Sequence, residues 1–215
     1  MPSVGEESAR IDVGGAYDAV AELYTELYGG EFAPLALERG MFGAFAELVG
    51  SRGTVLDAGC GPGHVTAYLH AQGLEAFGVD LSPAMVGIAR ASWPGVRFET
   101  GSIEEPDVED GTLDGIIARY SLIHLPPERI PAVLAAFHRA LVPRGHLLLA
   151  FPTAIGADAG VRAYDHKVVR AYQWPADRMA GLLREAGFTE VARLLRAAAD
   201  GERFPEACLL ARREH

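Results

Sequence analysis

The sequence predicts a doubly wound α/β domain with a mostly parallel sheet, and three observations carry that expectation. From about Thr54 onward, short apolar runs alternate with helical patterns, the signature of successive βαβ units. Runs such as Leu147-Leu148-Leu149-Ala150-Phe151 are apolar at consecutive positions, as in a strand covered by helices on both faces. A glycine-rich turn also joins the first of these strands to the helix that follows it. At 215 residues the chain suits one such domain with an added cap.

Taken in order, Ala16–Tyr28 and Pro34–Val49 read as two amphipathic helices, with Phe42, Phe45 and Leu48 recurring at helical spacing as packing residues. Strands are predicted at Thr54–Asp57, Ala76–Asp80, Val96–Glu99, Leu113–Arg119 and His146–Phe151. Helices are predicted between them, near Gly63–Gln72, Pro83–Ala91 and Glu128–Leu141. Ser82 is a good N-cap and Pro83 fits the first helical position. A last helix near Ala176–Ala186 stops at Gly187, a residue suited to ending a helix. Two strand-like segments follow, Thr189–Leu195 and Glu206–Arg212, with Asp200-Gly201 as the turn between them. That return makes the sheet mixed, with an antiparallel C-terminal strand. Residues 1–50 are therefore expected to form a helical cap and lid, and residues 51–215 the ligand-binding domain. The segment from Pro152 to Pro175 has no strong periodicity but holds Tyr164, Asp165, His166, Tyr172 and Trp174, so residues 152–174 are expected to form a substrate loop.

Charge and composition exclude several function classes. The formal net charge of -10 and the absence of a dense Lys/Arg cluster argue against a nucleic-acid partner. No apolar run approaches the roughly 20 residues that a membrane span needs. Residues Met1 to Asp12 lack the basic start and apolar stretch of a secretory signal. Cys60 and Cys208 have no metal-ligand spacing, and no metal is expected. The expectation is a cytoplasmic, disulfide-free monomer or homodimer.

The chemistry lies in Val55-Leu56-Asp57-Ala58-Gly59-Cys60-Gly61-Pro62-Gly63-His64. Glycines let the backbone turn tightly and let a ligand approach closely, while the open N–H groups of the next helix favour an anionic group. Asp80, at the end of the next strand, lies near the spacing expected of an acid that binds a ribose. Gly59, Gly61 and Gly63 read G-x-G-x-G and not the G-x-G-x-x-G of dinucleotide sites. Asp57, two places before the glycines, repels a pyrophosphate and attracts an ammonium group. A ligand with a ribose and an amino acid, but no phosphate, fits these residues better than a nicotinamide dinucleotide.

Asp57–Gly63 resembles motif I of class I S-adenosylmethionine-dependent methyltransferases with a Rossmann-like fold. Gly78-Val79-Asp80-Leu81-Ser82-Pro83-Ala84-Met85-Val86 resembles their second motif. Ala118-Arg119-Tyr120-Ser121-Leu122-Ile123-His124-Leu125 is similar to the loop after strand four in the small-molecule, type 11 branch. The resemblance implies that Asp80 holds the ribose hydroxyls, Leu81 packs on adenine and Asp57 lies near the methionine amino group. It also implies that backbone around Arg119 and Tyr120 completes that end. Ser102, beside Ile103, stands where many relatives carry the Asp that binds adenine; its hydroxyl can still accept a hydrogen bond. Tyr17 and Tyr24 resemble residues that cover the cofactor, and His64 is placed to contact it.

The function expected is methyl transfer from S-adenosylmethionine to O, N or C of a small molecule. In-line positioning supplies much of the acceleration, and a base is needed only for a protonated nucleophile. The base candidates are His124, His166 and Tyr120. Two alternatives remain open at this point: a protein of the same fold that binds the cofactor without methylating, and a nucleotide-dependent oxidoreductase.

Overall fold

A computed structural model describes residues 12–28, 36–154, 160–199 and 201–214. The N-terminal part forms α1 (Val13–Asp18), α2 (Ala21–Tyr28) and α3 (Ala36–Val49). The domain then runs β1 (Thr54–Ala58), α4 (His64–Ala71), β2 (Glu75–Asp80), α5 (Pro83–Ser92), β3 (Arg97–Thr100) and β4 (Leu113–Arg119). It continues with α6 (Ile130–Ala140), β5 (Leu141–Pro152), β6 (Arg162–Asp165), β7 (Arg170–Gln173), α7 (Ala176–Glu185), β8 (Phe188–Arg196) and β9 (Glu206–Arg213).

The seven-stranded sheet has the order β3-β2-β1-β4-β5-β9-β8. Pairings from β3 to β5 are parallel, and β9 lies antiparallel to both β5 and β8. This is the Rossmann-like arrangement expected from the sequence. Strand order reverses between β1 and β4, so the crevice at their carboxyl ends is the place where such sheets bind ligands.

The two faces are covered as the apolar runs require. Phe42 and Phe45 of α3 pack with Val65 and Leu69 of α4 on Val55 and Ile117. On the other face Leu134 and Phe137 of α6 and Met179 and Leu183 of α7 join Leu56, Leu147 and Phe188. Ser82 caps α5, its Oγ accepting from the Met85 amide at 3.1 Å, with Pro83 in the first turn.

Four expectations need correction. The single helix over Ala16–Tyr28 is two, α1 and α2, broken by a turn at Ala19 and Val20. Leu48 is 47% exposed, because only the Phe42 and Phe45 side of α3 meets the sheet. The helix expected from Glu128 begins at Ile130, after a 3-10 turn over Pro127–Arg129. The supposedly aperiodic segment holds an antiparallel ribbon, with Arg162 opposite Gln173 and Asp165 opposite Arg170. Four-residue strands are too short to show an alternation in sequence. Trp174, after the ribbon, is a core residue at 2% exposure, and Tyr172 packs against the same cluster. Asp200 of the expected Asp200-Gly201 turn lies outside the described residues.

Candidate active site

The glycine turn after β1 is built by exclusion. A Cβ on Gly59 would lie 2.3 Å from Ser121 Cβ, and one on Gly63 would lie 2.6 Å from the Phe98 ring. Both glycines also have positive φ, +80° and +83°, which side chains rarely adopt. Nothing lies within 4 Å of the corresponding position on Gly61, so the turn is packed on its flanks and open at its middle.

Asp80 closes one side of this cradle. Its Oδ2 accepts from the Gly61 amide at 2.8 Å and its Oδ1 from the Ser82 amide at 2.9 Å. Burial raises its pKa against those two hydrogen bonds. Each oxygen keeps a further lone-pair direction for a hydroxyl. Leu81, the next residue, is 41% exposed at the rim. Asp57 lies deeper, at 1% exposure, where its Oδ2 accepts from Thr66 Oγ1 at 2.6 Å. Burial, opposed by that hydrogen bond, pushes its pKa up to about 7.

Several polar atoms around the cradle are built for something more. Ser121 Oγ and both ring nitrogens of His64 are buried, with no hydrogen-bond partner among the described residues. Buried polar groups are normally paired. These atoms, the space over Gly61 and the carboxylates of Asp57 and Asp80 fit a ligand that carries hydroxyl and ammonium groups. Ser102 Oγ accepts locally from the Glu104 amide at 3.2 Å, and Ile103 is buried in the core.

Of the N-terminal helices, α1 and α2 lie against α5 beside this crevice. Asp18 Oδ1 accepts from Ser82 Oγ at 2.5 Å and from the Ala84 amide at 3.0 Å, which ties α1 to the start of α5. One residue earlier, Tyr17 Oη lies 2.8 Å from His124 Nε2. Tyr24 meets Tyr17 edge-on at 5.5 Å. His124 sits in a 3-10 turn after β4, and His166 on the ribbon side meets it edge-on at 5.0 Å. Burial lowers the pKa of His124 to about 4 and also lowers that of His166. A cavity of about 580 Å³ adjoins the ribbon, lined by Ala163, Tyr164, Asp165 and Arg170.

Tyr17, Tyr24, His124 and His166 are thus brought together, whereas Tyr120 is not part of that cluster. The Tyr120 hydroxyl donates to Glu206, and burial holds its pKa well above the ordinary phenol range. The side chain of Arg119 has a separate role, apart from the backbone contact expected of this residue. Its side chain forms a forked pair with Glu38 of α3, at 2.7 and 3.2 Å, and lies over the Tyr120 ring. Burial works against the Arg119 charge, but Glu38 holds its pKa above the usual value. Glu206 also accepts from Arg196, which pairs with Glu202 at 2.6 Å.

Sequence reasoning missed Glu38, Asp18 and Thr66. The signal for Glu38 was present: it precedes Phe42 by four residues and Phe45 by seven, so a carboxylate sits on the helix's apolar stripe. Thr66 stands on the first turn of α4, but nothing in its spacing points to Asp57. Among the described residues, no group of three His, Cys, Asp or Glu side chains is arranged to hold a metal, and no helix is long and apolar enough to cross a membrane.

Comparison with known proteins bears on this geometry. Residues 55–145 match the model of a methyltransferase domain. An uncharacterized methyltransferase of Synechocystis is 29% identical over 192 residues, which are 84% of this chain and 85% of that protein. Other curated methyltransferases match at about 30% identity, but this chain spans only 29% and 51% of their own lengths. Among solved structures, the 1,6-didemethyltoxoflavin-N1-methyltransferase of Burkholderia thailandensis, bound to 1,6-didemethyltoxoflavin and S-adenosylhomocysteine, superposes with a TM-score of 0.75 at 24% identity. It covers 100% of this chain and 94% of that one. The cyclase SpnF superposes with a TM-score of 0.76 at 19% identity over 94% and 95% of the two chains. These likenesses to solved structures are likenesses of fold.

Proposed function

We propose, from the premise that this chain is a class I S-adenosylmethionine-dependent methyltransferase, that its acceptor is a small molecule bound between the N-terminal helices and the ribbon. The observation that carries this reading is the convergence of Tyr17, His124 and His166 beside the cavity lined by Tyr164 and Arg170. A crevice roofed by a short helix and walled by aromatic rings suits a compact acceptor. The net charge of -10 disfavours a nucleic acid. The protein acts in the cytoplasm as a monomer or homodimer.

Asp80 holds the ribose hydroxyls, Leu81 packs against adenine and Ser102 accepts from the adenine amino group. Asp57 compensates the amino group, and His64 and Ser121 satisfy polar atoms at the methionine end. When bound, the cofactor supplies an electrophilic methyl group on a sulfonium. The protein's part is to hold the acceptor in line and to exclude water, which together are worth on the order of 7–11 kcal/mol in favourable cases. Tyr17 and Tyr24 close the crevice from above, while Asp18 keeps α1 seated on Ser82.

The test is transfer of label from methyl-labelled S-adenosylmethionine to a panel of small hydroxylated, heteroaromatic and amine acceptors, with tRNA and a protein mixture alongside. Labelled small product alone is expected. Label carried only by the macromolecules would overturn the assignment of the acceptor.

A further inference from the structure

We propose that Tyr17 is a catalytic residue that takes the proton of an attacking hydroxyl or aromatic N–H group, with His124 as the positioning residue that receives the proton Tyr17 gives up. This rests on the small-molecule reading above and adds to it the chemical class of the acceptor.

The geometry assigns each hydrogen. His124 Nδ1 lies 3.3 Å from the Arg170 carbonyl oxygen, and a carbonyl only accepts. Nδ1 therefore carries the hydrogen of the neutral ring, Nε2 presents a lone pair, and the Tyr17 hydroxyl donates to it across 2.8 Å. Three separate segments meet here: α1, the turn after β4 and β7. Asp18, next to Tyr17, anchors α1 at the far side of the crevice, on Ser82 and Ala84. The pair therefore stands between the tips of β2 and β4, above β1, where the strand order places the ligand crevice.

Other aromatic and titratable groups face the pair. Tyr24 of α2 meets Tyr17, and His166, flanked by Tyr164 and Asp165, meets His124. None of these places an opposite charge on His124, and burial leaves it a neutral acceptor down to about pH 4.

A lone pair on the acceptor atom forms the bond to the methyl carbon while the carbon–sulfur bond breaks, leaving its electron pair on sulfur. The acceptor's proton passes to Tyr17 Oη, and the Tyr17 proton passes to His124 Nε2. The resulting imidazolium returns that proton to solvent when the site opens. A weakly basic imidazole cannot ionise a resting phenol, but the acceptor's own proton becomes far more acidic once the atom that bears it begins to carry a methyl group, and its arrival on Tyr17 Oη is what releases the Tyr17 proton to His124. The relay therefore acts with methyl transfer or after it. It serves hydroxyl and aromatic N–H acceptors, and it does not serve an alkylammonium, which must lose its proton before it can attack.

The test uses the full chain labelled with 15N-histidine and loaded with S-adenosylhomocysteine. Nuclear magnetic resonance is expected to show His124 as the Nδ1–H tautomer, unprotonated down to about pH 5. Tyr17→Phe should shift the Nε2 signal while leaving affinity for S-adenosylhomocysteine within about tenfold, as loss of one modest hydrogen bond allows. With labelled S-adenosylmethionine and catechol, benzimidazole or propylamine, transfer is expected to catechol or benzimidazole. Tyr17→Phe should then lower kcat about a hundredfold or more with the acceptor KM little changed. An Nε2–H tautomer, transfer to propylamine alone, no transfer to any of the three, or full turnover by Tyr17→Phe would each overturn the relay. Failure to bind S-adenosylhomocysteine at all would instead strike the reading on which it rests.

Discussion

At the scale of single residues, the two carboxylates of the cradle do different work because they are solvated differently. Asp80 is held by two backbone amides at the rim, whereas Asp57 is buried with Thr66 as its hydrogen-bond donor. With a folded-state pKa of about 7, Asp57 keeps a proton that it has lost in the unfolded chain between pH 4 and 7. Its contribution to stability is therefore complete below about pH 4 and declines as pH rises to about 7. Thermal midpoints of the free protein should fall across that window relative to Asp57→Asn, which has no such titration. An ammonium-bearing ligand reverses the preference by favouring the carboxylate. Binding of S-adenosylhomocysteine below pH 7 should release a proton, approaching one per ligand near about pH 6. Calorimetry in buffers of different ionisation enthalpy measures that release, and Asp57→Asn should abolish it.

At the scale of elements, the central strands and helices were legible because their signals are local. The stretch Leu113–Arg119 was read to the residue, and Ser82-Pro83 announced the start of α5. What was not legible depends on partners distant in sequence. The break between α1 and α2 follows no strong local signal, and α1 holds its place through Asp18 and Ser82, which are 64 residues apart. The ribbon strands are four residues each, too short for periodicity. The hydrogen bonds from Ser82 and Ala84 also lower the Asp18 pKa. Asp18→Ala should therefore release α1, and amide hydrogen exchange in residues 13–18 should quicken while exchange in β1 and β4 stays unchanged. Unaltered protection of α1 would remove Asp18 as its anchor.

For the molecule as a whole, the carboxyl edge of the sheet is both the proposed site and a seam that joins α3 to the strands. Glu38 of α3 pairs with Arg119 of β4, and Tyr120, Glu206 and Arg196 carry polar contacts on to β9 and β8. Glu38 is almost fully buried, and the Arg119 side chain is 22% exposed. Removing one partner strands the other, so Arg119→Met should destabilise the fold by ~3 kcal/mol, the lower end for buried pairs because Arg119 keeps some solvent. The double change Glu38→Leu with Arg119→Met should recover most of that loss, as denaturant unfolding would show. Of this network the sequence displayed Glu38 on an apolar stripe, but the match to Arg119 across 81 residues becomes visible only in the fold. The fold alone does not name the reaction, since a cyclase shares it; the proposed reaction rests on the likeness in sequence to methyltransferases taken together with the residues of the cradle.

The central claim is that the glycine turn and Asp80 form one cradle for the adenosyl ligand. It is tested most directly by calorimetric titration of S-adenosylhomocysteine into the wild-type protein and Asp80→Ala. Binding by the wild type and a loss of roughly 1–3 kcal/mol in the variant are the expected results. Equal affinity in the two proteins would place the ligand elsewhere and contradict the account.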